Sequence, residues 1–210
     1  MLTQQYFDRF YDWVVRPVQS LDDQKRVHEI AQANFGQDTF PLHHIGDWHT
    51  TYPEGRRLLC AGNHIVGYVS IWPIAADQAQ QFCRGDLTEK QLYPLSIQQV
   101  RQQGSDHWYI GAVVIEASLR KPIKGNPIGF LLAMALNSWA ETAGVQYPVT
   151  VFSPAYSAEG ERLLQRFGFD LLRDGNQMPD GDPLYQRVAA DKNSLFQSFA
   201  QHGIPQLFDG

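Results

Sequence analysis

The period of the apolar positions changes several times along the chain, and each change marks an element. "WVVRPVQS" from Trp13 reads as a first strand. "LDDQKRVHEIAQANFG" then sets Leu21, Val27, Ile30, Ala31 and Phe35 at helical spacing behind a Ser20 N-cap, with Gly36 as the stop. "FPLHHIGDWHTTYPEG" is aromatic and His-rich, partly helical at best, and closes on the turn residues Pro53 and Gly55. In "RRLLCAGNHIVGYVSIWPI" two apolar runs flank "GNH", the pattern of an antiparallel hairpin. "DQAQQFCRGDLTEKQLYPLSIQQV" is more polar and less regular, which predicts a crossover of the sheet.

"HWYIGAVVIEAS" brings a largely apolar, β-branched run from Trp108, as expected of a strand buried on both faces, and is the natural central strand. A helix is predicted over 127–143, followed by a strand in "VQYPVTVFSPA", a helix in "SAEGERLLQRFG" and two closing strands in "FDLLRDG" and "DPLYQRVA". The predicted order is β, α, β, β, β, α, β, α, β, β. A tail from about 190 to 210 shows one short amphipathic helix and no further domain, so a single domain over 1–210 is expected.

Composition narrows the function classes. Apolar residues are 43% and charged residues 19%, proportions of an ordinary folded soluble protein. A formal net charge of -5 speaks against a general nucleic-acid binder, which needs a cationic face. Asp8, Arg9 and Asp12 interrupt the N-terminal segment where a secretion signal needs an apolar stretch, and no run reaches the roughly twenty residues of a membrane span. Cys60 and Cys83 stand alone, without a disulfide framework or zinc spacing. A cytoplasmic protein without membrane or nucleic-acid partners is expected.

"RKPIKGNPIGFLLAMALNSWAE", residues 120–141, points most directly at a ligand. Asn126 suits an N-cap, Pro127 the first helical position, and Gly144 the turn past the C-terminus. A helix N-terminus presents unpaired amides and a partial positive charge. Arg120, Lys121 and Lys124 lie directly before it, and no acidic residue occurs between Glu116 and Glu141. A pyrophosphate fits on the amides of Ile128 and Gly129, with Gly125 and Gly129 letting the backbone approach. A solvated basic connector accounts for the same residues if Asn126 spends those amides on its own cap, and Pro127 removes one donor.

The strand "YIGAVVIEASLR", the loop "KPIKGNPIG", the helix "FLLAMALNSWAETAG", the strand "YPVTVFS" and the helix "SAEGERLLQRFGF" together resemble the GNAT superfamily of N-acetyltransferases over roughly residues 13–189. The resemblance implies an α/β (α+β) fold with a mixed, mostly antiparallel sheet flanked by helices. It also implies acetyl-CoA as the acyl donor, held where central strands splay apart, with Val113, Val114 and Ile115 on its pantetheine arm. The basic loop, from Arg120 through Gly125, Asn126 and Gly129, then wraps the pyrophosphate, although it is longer than the family's pattern. Many members place a Tyr four residues before the last helix's closing Gly; Leu164 stands there, and the nearest substitute is Tyr156. A structural Tyr that packs its ring and tethers its hydroxyl is the other reading of Tyr156.

An acyl transfer of this kind needs a base or a water chain for the amine's proton. His107 at the head of the central strand, Glu116 at its end and Glu89 in the crossover are candidates, set against a surface His and carboxylates paired with Lys or Arg. His43, His44, Asp47 and His49 invite a metal, but nothing completes a ligand set, so no metal is expected; a lid over the acceptor or a packed aromatic segment fits better. Trp48, Trp72, Trp108 and Trp139 read as core. The expected activity is N-acyl transfer from acyl-CoA to a small-molecule or peptide amine, with the net acidity favouring a cationic acceptor. A catalytically degenerate acyl-CoA-binding or protein-interaction module is the rival, and either form leaves room for a homodimer.

Overall fold

The computed structural model describes residues 13–36, 39–119, 135, 138, 139 and 144–194. Its strands are β1 (Trp13–Pro17), β2 (Arg56–Ala61), β3 (His64–Pro73), β4 (Ser105–Ile115), β5 (Val145–Pro154), β6 (Asp170–Arg173) and β7 (Leu184–Ala189). They form one sheet in the order β1-β2-β3-β4-β5-β7-β6, antiparallel throughout except for the parallel pair β4 and β5. The helices are α1 (Leu21–Phe35), α2 (Leu42–Thr51), α3 (Ala76–Arg84), α4 (Ile97–Gln103) and α5 (Ala158–Arg166). The mixed, mostly antiparallel sheet is as the family resemblance implies, and the central place of β4 is as its apolar run predicts. Among the described residues no helix is long and apolar enough to cross a membrane.

Two segments differ from expectation. The His-rich stretch is a full helix, α2, although no side chain caps its start at Pro41; burial of Ile45 and Trp48 supplies what capping does not. The crossover before β4 folds into α3, a 3₁₀ turn at Glu89–Gln91, and α4, which Ser96 and Gln99 close at its N-terminus as a capping box.

In α1 the Ser20 hydroxyl accepts from the Asp23 amide at 3.1 Å, while Leu21, expected on the apolar stripe, is 61% exposed. Asp23 is buried instead, because its carboxylate takes both arms of the Arg16 guanidinium at 2.7 and 2.8 Å and the Gln19 amide at 2.8 Å. This clamp fixes α1 against the strand that precedes it. The Arg16 hydrogen bond, opposed in part by burial, holds the Asp23 carboxyl down at about 2. A depressed carboxyl stabilises the fold above its unfolded value of 3.8, and that contribution is lost as pH falls through about 2. Asp23→Asn is therefore expected to cost about 1–3 kcal/mol near neutrality, and urea unfolding should find the gap to wild type closing towards pH 2.

Strand alternation sends consecutive residues to opposite faces. Arg56 points to the face covered by α1 and α2. Arg57 points to the other, where its Nε donates to Ser138 Oγ at 3.2 Å. Trp108 likewise meets Trp139 across that second face, ring centroids 4.7 Å apart, whereas Tyr109 meets Trp48 on the first at 6.4 Å.

The feature that matters most for ligands is a fork. β4 pairs with β5 only from Ser105 opposite Val145 to Tyr109 opposite Phe152. Beyond that point β4 stays on β3 as far as Ile115, while β5 continues along β7. Ser153 Oγ donates to the Ile110 carbonyl at 2.9 Å and ties the crotch of the fork.

Candidate active site

The fork opens a cleft of about 560 Å³ between β4 at Val113, Val114 and Ile115 and the start of α5. Among the described residues no strand lies beside β4 on that side at Val113 and Val114, and an edge of this kind offers backbone groups to a ligand. Ser157 caps α5 through Gly160, and Arg162 and Arg166 on the same helix line the cleft. A long, thin ligand with amide groups and an anionic end suits such walls.

A second space of about 80 Å³ lies beside it, between α1, α2 and the first face of the sheet. A single water needs roughly 10–15 Å³ on the same measure, so a ligand of several heavy atoms fits. Aromatic rings of Phe40, Trp48, Tyr68, Trp72 and Tyr109 dominate its wall. Phe35 and Tyr156 border both spaces and touch edge to face, centroids 5.3 Å apart. The two spaces therefore meet at one pair of rings.

At that junction three polar side chains converge. Glu89, on the 3₁₀ turn, receives Tyr156 Oη on Oε2 at 2.7 Å and Tyr109 Oη on Oε1. The Glu89 amide donates to Asp180 Oδ2 at 2.6 Å, which pins the turn to the loop before β7. Burial pushes the Glu89 carboxyl up to about 7, outweighing the two phenolic hydrogen bonds; Asp180 and Asp182 add to the rise. Burial also lifts both phenols well above their ordinary value, with the Glu89 charge adding to it, so both stay protonated donors near neutrality. Tyr156 is 38% exposed along its ring, while its hydroxyl turns inwards to Glu89.

The backbone bends at the same place. Ser70 pairs with Ala112 and Ile71 with Ile110, which leaves Gly111 as the extra residue of a β-bulge. A Cβ at Gly111 would come within 2.9 Å of the Tyr109 ring, so the bulge and the ring position require glycine together.

Of the residues singled out from sequence, the structure brings Glu89 and Tyr156 together and lines the cleft with Val113, Val114 and Ile115. It does not bring Glu116 or His107 to them. Glu116 accepts from Arg26 of α1 and borders neither space. His107 sits six residues before Val113, about 20 Å along an extended strand, with Nδ1 against Asp106 Oδ1 at 2.7 Å. Arg120, Lys121, Lys124, Gly125, Asn126, Ile128 and Gly129 lie outside the described residues. Of the His-rich cluster, His44 reaches the cavity, and burial, with His43 beside it, pushes its pKa down, so it is neutral at pH 7. Among the described residues no group of three or more His, Cys, Asp or Glu could hold a metal ion.

Sequence reasoning did not single out Tyr109, Arg56, Arg162 or Arg166. Only Arg56 carried a usable signal, a charged residue opening an apolar strand.

No protein-family model matches the chain. A stretch of 70 residues is 31% identical to the large ribosomal subunit protein uL18 of Oikopleura dioica, covering 32% of this chain and 23% of that protein; the chain thus spans under a quarter of that relative. Solved structures agree over much more of the chain. The loading GNATL domain of CurA from Lyngbya majuscula superposes with a TM-score of 0.59 at 16% identity, over 84% of this chain and 97% of that one. Ard1 from Thermoplasma volcanium gives 0.57 at 15%, over 86% and 99%. The diaminobutyrate acetyltransferase EctA from Paenibacillus lautus, solved with L-2,4-diaminobutyric acid and coenzyme A, gives 0.52 at 14%, over 85% and 95%. At these identities the likeness is one of fold, over most of the chain.

Proposed function

On this chain, which has the GNAT fold, we propose transfer of an acyl group, acetyl in the simplest case, from acyl-CoA to an amine. One observation carries the reading: a carboxyl group poised near neutrality, held by two phenols, stands where the cleft of the fork meets an aromatic-walled cavity. The cleft suits the pantetheine arm along Val113–Ile115, and Arg162 and Arg166 offer cationic partners for the phosphates. The cavity suits the acceptor.

In this reading Glu89 takes the proton that the amine loses as its nitrogen bonds to the acyl carbon. Tyr156 gives a proton to the departing sulfur and regains one from Glu89 along their hydrogen bond, so protons balance over the cycle. The bulge at Gly111 brings its carbonyl within 3.4 Å of the Tyr156 hydroxyl, which helps to hold that phenol at the junction. Much of the rate comes from holding two substrates end to end.

Thiol release from acetyl-CoA across a panel of amines tests the activity, and calorimetric titration with CoA tests the cleft. Tyr156→Phe is expected to lower kcat roughly 10²-fold while CoA binding stays close to wild type. CoA binding without turnover on any amine would favour the binding-module reading. Absence of CoA binding would remove both.

A further inference from the structure

Arg56 opens β2 and is 4% exposed on the cavity face. The only hydrogen bond of its side chain among the described residues is from Nε to Ser70 Oγ, at 3.3 Å, and Nη1 has no partner. Its guanidinium carbon lies 5.3 Å from the Trp72 ring centre and 5.9 Å from that of Tyr68. Those rings stabilise a cation, but they do not use its in-plane N–H groups. Burial lowers the Arg56 pKa to about 10, which leaves it charged at neutral pH.

A charge removed from water without a counter-ion is costly, and folds keep one only when something else compensates. The buried Arg57 next to it makes the contrast. It is paired with Glu54 Oε2 at 3.1 Å and with the Glu54 carbonyl, whereas no carboxylate of the described residues pairs with Arg56. The fork of donors on Arg56 borders the cavity instead.

Resting on the acyl-transfer reading, we propose that Arg56 receives a carboxylate, so that the cavity takes a ligand with an anionic carboxyl group a few bonds from the reacting centre. A guanidinium matches a carboxylate at two points, which a neutral hydroxyl or a second amine does not reproduce. Arg56 pairs with Ser70, and Ser70 with Ala112 beside the bulge, so the arginine stands two strands, roughly 10 Å, from the junction. A ligand reacting at the junction thus reaches towards Arg56 with its far end. The cavity carries a cation at one end and Glu89 at the other, the charge pattern of an amino acid. This local field displaces the preference for a polycationic acceptor that net charge alone suggests.

The same carboxylate has two chemical sources, an acceptor of the amino-acid class or the free carboxyl of a dicarboxylic acyl group. Calorimetry on the full chain separates them without needing turnover. With CoA at saturation, β-alanine is compared with ethylamine and serine with ethanolamine; separately, malonyl-CoA is compared with acetyl-CoA. In at least one arm the carboxylated member should bind roughly 10- to 100-fold more tightly, and Arg56→Gln should abolish the difference. A preference in the amine arm assigns the carboxylate to the acceptor, and one in the acyl arm assigns it to the donor. Arg56→Lys keeps the charge but loses the two-point geometry, so it should lower the preference about tenfold and serves if the neutral variant does not fold. Equal affinities in both arms of the wild type, or a preference undiminished in the Arg56 variants, overturn the proposal. Failure of the acyl-transfer reading appears separately, as absence of thiol release with the carboxylate preference intact.

Discussion

Glu89→Gln is expected to lower kcat by roughly 10²- to 10⁴-fold while leaving the fold and CoA binding in place. Gln keeps an oxygen for one phenol but cannot take the amine's proton. The wild-type rate should rise with pH through about 7, where the carboxyl ionises, and this limb should vanish in the variant. Stability should move the other way. The folded state holds the Glu89 proton more tightly than the unfolded chain, whose value is 4.5, so raising the pH from 4.5 to about 7 removes stability, on the order of 3 kcal/mol, and above 7 there is no further loss. Glu89→Gln should flatten that slope. Parallel pH series of turnover and urea unfolding check both signs; a rate limb that persists in the variant would reassign the base.

Gly55→Ala is expected to unfold the molecule at markedly lower temperature, although it adds one methyl group. A Cβ at that position would lie 2.1 Å from two atoms of the Trp72 ring. Trp72 is 1% exposed and is held edge-on to Trp48 with ring centres 5.3 Å apart, so it has nowhere to retreat. Overpacking of this kind costs about 3 kcal/mol, or about 10 °C for a chain of this length. Because the same ring lies over Arg56, the variant should also lose its carboxylate preference if folded at low temperature. Trp72→Phe removes the clashing outer ring, so the double variant should melt above Gly55→Ala alone; melting curves of the four proteins close the cycle.

What could be read from the sequence was what neighbouring residues decide. Ser20 does cap α1, "SAEGERLLQRFG" does form α5, the "GNH" turn does join β2 to β3, and the run from Trp108 does occupy the middle of the sheet. α2 is only partly legible because His, Thr and Gly are weak helix formers and its helicity comes from burial of Ile45 and Trp48. The placement of β7 between β5 and β6 is a pairing across sequence, invisible to periodicity. The site follows the same division. Val113–Ile115 could be placed on the fork through the family resemblance, but Glu89 and Tyr156 are 67 residues apart and each had an ordinary structural explanation. That explanation is half right for Tyr156: the hydroxyl is tethered, and its tether is the ionisable group itself. Arg56 is not legible as a site residue because an arginine at a strand's end usually reaches water, and only the helices folded over it decide otherwise.

The aromatic wall has a practical consequence. Trp48 and Trp72 border the inner cavity, while Trp108 and Trp139 meet on the opposite side of the sheet. Indole emission responds to the polarity and charge next to the ring, so part of the intrinsic fluorescence originates where the small ligand would sit. The molecule thus carries its own optical gauge of occupancy, without a label or a coupled assay.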